Sequence, residues 1–145
     1  MKTLLACLFA LGTALGVVRA DEAKLPAEFR HALRDLTRFH ELRKVADLPA
    51  KVVALIAPDP KFIANPGEKW QVTDVIDDPN LPAKRLIWAA TDGEHYIVHY
   101  ESGGIAHVFH ILMVNVAPTP SEPVTQSGAK QYQDLASFAE AMGRK

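Results

Sequence analysis

Two glycine-bearing breaks, Asp92-Gly93 and Gly103-Gly104, constrain this chain most. They separate three consecutive segments of β character: residues 85–91 (RLIWAAT), 95–101 (HYIVHYE) and 106–116 (AHVFHILMVNV). Each is rich in β-branched and aromatic residues, and both dipeptides suit the left-handed positions of tight hairpin turns. Strands joined in this way must run antiparallel. Residues 70–76 (WQVTDVI) alternate and supply a fourth strand, so an antiparallel meander of four is expected.

Two-residue turns at both breaks also set a register. Trp88 then opposes Ile97, Leu86 opposes His99, His99 opposes Val108, and Ile97 opposes His110. Directly paired residues share a face. One face gathers Ile87, Tyr96, Val98, Tyr100, Phe109 and Met113 and should pack on helices. The other gathers Trp88, His95, Ile97, His99, Glu101 and His110, a mixed surface expected to stand partly open or beneath the C-terminal tail.

Helical spacing dominates the first third. Leu25, Phe29, Leu33, Leu36 and Leu42 recur on one stripe, with Phe39 beside it. Pro26 and Glu28 suit a first turn, and Arg43 and Lys44 a last one. A second helix should follow Pro49, carrying Val52, Val53, Leu55 and Ile56, and stop at Pro58. Together these make a helical hairpin. Residues 117–130 hold three prolines with Ser, Thr and Gly and read as a mobile loop. Residues 134–142 read as a short amphipathic helix presenting Leu135, Phe138, Ala139 and Met142. The expected fold is therefore α+β: an N-terminal helical hairpin packed on a four-stranded antiparallel β-meander, with a short C-terminal helix. That topology resembles small bacterial exported modules, the β-lactamase-inhibitor-protein-like repeats and the outer-membrane assembly lipoproteins. The resemblance implies a binding or inhibitor-like role.

Residues 1–20 read as a secretory signal peptide. Lys2 precedes an apolar run over residues 3–18, and Val18-Arg19-Ala20 offers a cleavage site. A run of 16 residues falls short of the about 20 needed to span a bilayer. Residues 21–145 then form one small domain, and no membrane insertion is expected after cleavage. Loss of Lys2 and Arg19 takes the basic count from 16 to 14 against 17 acidic residues, a net charge of −3. Such a balance gives no footing for nucleic acid. The one cysteine, Cys7, leaves with the signal, so neither a disulfide framework nor a nucleophilic thiol remains. A periplasmic or secreted location follows.

Little in the sequence suggests an enzyme. No GxSxG turn occurs, and Ser102 stands in a turn sequence without further catalytic pattern. Asp77-Asp78 ahead of Pro79 reads as a solvated loop rather than a calcium site. The histidines are the main chemical candidates. His95 and His99 lie four strand residues apart, roughly 13 Å, too far to share an ion with Zn–N bonds of about 2 Å. His31 and His40 are turned half a circle apart on the expected helix, and His107 and His110 face opposite ways. In the expected register, however, His110 is a diagonal neighbour of both His95 and His99, at roughly 7–8 Å. His95, His99 and His110 are thus the candidate metal ligands, with Glu101 or water assisting. Zn²⁺, Cu²⁺ or Ni²⁺ would suit imidazole, and no other cofactor is implied. Trp88, Ile97 and Glu101 are the candidate binding residues of the same face. The leading expectation is a non-catalytic binding or inhibitor-like module of the bacterial envelope with an envelope protein as partner. The alternative is a histidine-based metal-binding or pH-responsive protein.

Overall fold

The computed structural model describes residues 25–76, 78–128 and 130–143, so the expected signal peptide lies outside the described residues. The described residues hold three short α-helices and one six-stranded sheet. The elements run α1 (Ala27–Ala32), β1 (His40–Leu42), α2 (Ala50–Ile56), β2 (Ile63–Ala64), β3 (Lys84–Thr91), β4 (His95–Ser102), β5 (Val108–Asn115), β6 (Val124–Gly128) and α3 (Leu135–Ala141). The sheet order is β1-β3-β4-β5-β6, antiparallel throughout, and β2 adds in parallel to the first residues of β3.

This overturns the expected helical hairpin on a four-stranded meander. α1 ends at Ala32, because Asp35 offers the chain a competing local structure. Its carboxylate accepts from Thr37 N (3.1 Å) and Thr37 Oγ (2.5 Å) and starts a 3₁₀ turn, Leu36–Arg38. Residues 40–42 then gain a partner strand, His40 opposing Thr91 and Leu42 opposing Ala89. The apolar stripe is real but only Phe29 uses it within the helix, with Leu33 at the C-cap; Leu36, Phe39 and Leu42 reach the core from the turn and the strand. With the hairpin goes the topological resemblance it supported.

Residues 70–76 are not a strand either. The Gln71 carboxamide donates to Thr73 O (3.0 Å) and also to Val75 O, folding the segment on itself. Only Thr73 bridges to Gly104. Conversely, β6 lies within the segment expected to be a loop and pairs with β5 from Met113↔Val124 to Phe109↔Gly128. α2 and α3 form where their start signals stand, α3 with a reciprocal cap between Asp134 and Ser137.

The register also departs from expectation. The β3–β4 turn centres on Gly93-Glu94, one residue late, since the Asp92 carboxylate accepts from Glu94 N (3.1 Å) and His95 N (2.8 Å). Trp88 opposes His99, and an irregularity at Ile87 puts Leu86 opposite Tyr100. Between β4 and β5 the change is larger. Ser102 opposes Val108, leaving residues 103–107 as the loop, so His99 opposes Ile111 and Tyr100 opposes His110. An odd displacement exchanges the faces of a strand. The diglycine is not the tip of a tight turn. Gly103 abuts the main chain of residues 71–72, where a Cβ would stand 2.1 Å from Gln71 O, and Gly104 N donates to Val72 O (3.1 Å). Close approach, not reversal alone, demands the glycine at 103.

Both faces of the sheet are consequently covered. Val52, Val53 and Ile56 of α2 pack with Val45 and Leu48 on Leu86, Ala89, Val98, Tyr100, Leu112 and Val114. Phe29 and Leu33 of the α1 region, with Leu135 and Phe138 of α3, cover Trp88, Ala90, Ile97, Ile111 and Met113. On β3–β5 the expected mixed open face is gone, and half-exposed residues stand mainly toward the strand ends.

Gly103→Ala should lower the urea unfolding free energy by about 1–3 kcal/mol through overpacking. Gly128→Ala, whose Cβ would meet nothing within 4 Å, should stay within about 0.5 kcal/mol. Equal midpoints for the two variants would contradict the close approach.

Candidate functional site

One end of the sheet collects the start of β3, the end of β4 and the start of β5. The C-terminus of α2 reaches it, because Lys84 Nζ donates to Ile56 O. The 3₁₀ turn Pro60–Phe62 leads into β2 at the same level, where Ile63 pairs with Lys84. Residues 71–72 are fixed there by Gln71 N→Pro82 O (2.8 Å) and Gly104 N→Val72 O. Every large apolar side chain exposed among the described residues belongs to these segments: Leu55, Phe62, Val72, Val75, Ile76 and Ile105. Ile105 is 97% exposed, Ile76 69% and Val75 62%. Asp74 and Asp78, both exposed, flank Val75 and Ile76.

A polar clasp stands behind this surface. Glu101 is 2% exposed, and its carboxylate accepts from Arg85 Nε (2.6 Å) and His107 Nε2 (2.6 Å). The Arg85 guanidinium lies 5.2 Å from the Trp70 ring, and the His107 ring is 5.4 Å from Trp70 and 4.7 Å from Phe109. One buried acid thus ties β3, β4 and the 103–107 loop together, with Trp70 as the roof. A buried carboxylate requires such partners, since leaving it unpaired is costly.

The three histidines of the expected metal site go separate ways. His99 is 0% exposed on the α1/α3 side, 5.5 Å from the Trp88 ring. Its Nδ1–H donates to His110 O (2.8 Å), and its Nε2 accepts from Tyr132 N (3.1 Å). His110 projects on the opposite face, stacked on Tyr100 at 4.7 Å. Its Nε2 is hydrogen-bonded to Ser102 Oγ and its Nδ1 to Ser127 Oγ, each at 2.8 Å. His95 sits at the far end of β4, 3.1 Å from the Asp92 carboxylate and edge-on to Phe29. Among the described residues no three His, Cys, Asp or Glu side chains are close enough to hold a metal ion. Trp88 and Ile97 are both 0% exposed, and Trp88 Nε1 donates to Tyr132 O (2.9 Å). They are core residues with no surface to offer a ligand. Glu101 alone of the expected binding residues stands beside the exposed end.

The sequence pattern sets His107 aside as facing away from His110 and Trp70 as strand packing, and it does not single out Arg85 or Ile105. Ile105 carried a usable signal: a large apolar residue directly after a diglycine, in a loop with no strand to bury it. No such local signal marks Arg85 and His107, which meet Glu101 only through the register.

Burial, the larger cause for each, lowers the pKa of His99 and of His110 below 6.5; the Lys84 charge adds to the effect at His110. The unfolded chain therefore takes up these protons first on acidification. Stability is full above the unfolded value near 6.5 and falls as pH drops below it. Protonating His99 also removes the acceptor of Tyr132 N–H. The urea midpoint should be lower near pH 5.5 than near pH 7.5, and His99→Gln should reduce that difference. An unchanged midpoint would contradict the neutral, buried imidazole. Comparison with protein-family models, curated proteins and solved structures gives no match to this chain, so the reading of the site stands on its geometry.

Proposed function

We propose that the chain is an exported binding module that docks a protein partner through the apolar end of its sheet. The observation that carries this reading is the gathering of all the exposed large apolar side chains of the described residues at that one end. Scattered apolar residues need no explanation, but a concentration of them on fixed loops marks an interaction surface. The loops are held by main-chain bonds and by the Glu101 clasp, so docking does not require them to be ordered first.

Charge selects the kind of partner. Asp74 and Asp78 flank the apolar tips, whereas on the neighbouring segments Asp59 is paired with Lys61 (3.4 Å) and Glu68 adjoins the exposed Lys69. The two carboxylates beside the tips disfavour an anionic bilayer and favour a protein surface whose apolar socket carries Lys or Arg opposite Asp74 and Asp78. No helix among the described residues is long and apolar enough to cross a membrane. The signal-like residues 1–20 support placing the encounter in the periplasm or outside the cell.

A photocrosslinking residue at Ile105, expressed in the source cells, should give one saturable adduct with an exported protein. The same residue at Glu140 on α3 should give none. Ile105→Asp should weaken the isolated complex at least about 30-fold, from loss of about 2 kcal/mol of apolar burial. Adducts with lipid only, or equal adducts at both positions, would contradict the proposal.

A further inference from the structure

We propose that Ser102, His110 and Ser127 form an acyl-transfer site for small carboxylic esters, with Ser102 as the nucleophile. The three side chains come from adjacent strands β4, β5 and β6 and line up on the α2 face of the sheet, at its exposed end. His110 Nε2 lies 2.8 Å from Ser102 Oγ and His110 Nδ1 lies 2.8 Å from Ser127 Oγ. In the tautomer protonated at Nδ1, which the proposed chemistry uses, Ser102 donates to Nε2 and Nδ1–H donates to Ser127. That is the connectivity of a nucleophile, a general base and a group that orients the base. His99 shows the contrast: its two nitrogens are taken by main-chain groups, as suits a purely structural imidazole. Both partners of His110 are hydroxyls.

Each member is held in place. His110 stacks on Tyr100 with an interplanar angle of 15°. Ser102 precedes Gly103, which is wedged against the main chain of residues 71–72 and bonded through its N to Ala83 O (3.1 Å). Lys84 is the direct cross-strand partner of Ser102, and its ammonium lies 5.9 Å from the Tyr100 ring. The ammonium is bonded to Ile56 O, so it adds positive charge on this face of the sheet rather than a free donor for an oxyanion. Burial and this same charge keep the His110 imidazole neutral, the form a base requires. Ser102 and His110 are half-buried and Ser127 is exposed, which leaves an open shelf suited to a small acyl group.

The chemistry balances with water alone. Ser102 Oγ bonds to the acyl carbon while its proton passes to His110 Nε2. The ester C–O bond breaks, and the alcohol leaves with that proton. Water, deprotonated by the same nitrogen, then attacks the acyl-Ser102, and the carboxylic acid departs as Ser102 recovers its proton.

A fluorescent fluorophosphonate and p-nitrophenyl acetate test the site on the purified protein. The expected result is one fluorophosphonate adduct per chain, mapped by mass spectrometry to Ser102, with ester turnover lost in Ser102→Ala. His110→Gln should slow labelling about 100-fold. Ser127 acts as a positioning residue: Ser127→Ala should slow labelling, and Ser127→Thr should restore it. Ile105→Asp should label like the wild type, which separates this site from the docking surface. Labels spread over lysines and tyrosines, or an unchanged rate in His110→Gln, would overturn the proposal. If circular dichroism shows His110→Gln to be unfolded, equal labelling of Ser127→Ala and Ser127→Thr would overturn it instead.

Discussion

Burial of β3, β4 and β5 on both faces governs the rest of the structure. α2 covers one side, and the α1 region with α3 covers the other. Where both faces of the sheet are covered there is no place for an unpaired polar side chain. The polar residues on its central strands are accordingly matched. His99 bonds main chain on both nitrogens, Glu101 is clasped by Arg85 and His107, and the Thr91 hydroxyl accepts from Gly93 N (2.9 Å). Among the described residues no buried side-chain nitrogen or oxygen lacks a partner. Exposed apolar surface is confined to where the cover stops, at one end of the strands.

That end combines two kinds of surface. Val72, Val75, Ile76 and Ile105 project on loops pinned to each other, with acidic residues around them. Immediately beneath, the two sides of β4 differ. Glu101 points to the α1/α3 side and organises Arg85, His107 and Trp70, while Ser102 points to the α2 side and meets His110. Successive residues of one strand thus serve a structural clasp and a reactive hydroxyl. The alternation of the strand keeps the two apart.

Some of this is legible in the sequence and some is not, for identifiable reasons. α2 and α3 are legible because each carries its own start signal, Pro49 and Asp134, ahead of correctly spaced apolar residues. The three central strands are legible from their β-branched and aromatic runs. The long first helix fails because periodicity over residues 25–45 is blind to Asp35, whose side chain captures the Thr37 amide and hydroxyl. β6 escapes notice because its residues, VTQSG, resemble loop and gain strand geometry only from pairing with β5. The histidine cluster fails on a single glycine. Gly103 reads as a turn residue but serves the close approach of residues 71–72. The loop of five residues that results moves His110 from the side of His99 to the side of Tyr100.

The β4–β5 register is therefore the claim on which both the docking loops and the Ser102–His110 contact depend. Nuclear Overhauser contacts of the His110 ring measure it directly. The structure predicts cross-peaks from His110 to the Tyr100 ring and to the Ser127 Hβ protons, with His99 contacting Trp88 and Tyr132. Cross-peaks from the His110 ring to Ile97 or His99 side chains would place all three imidazoles on one face and contradict the account.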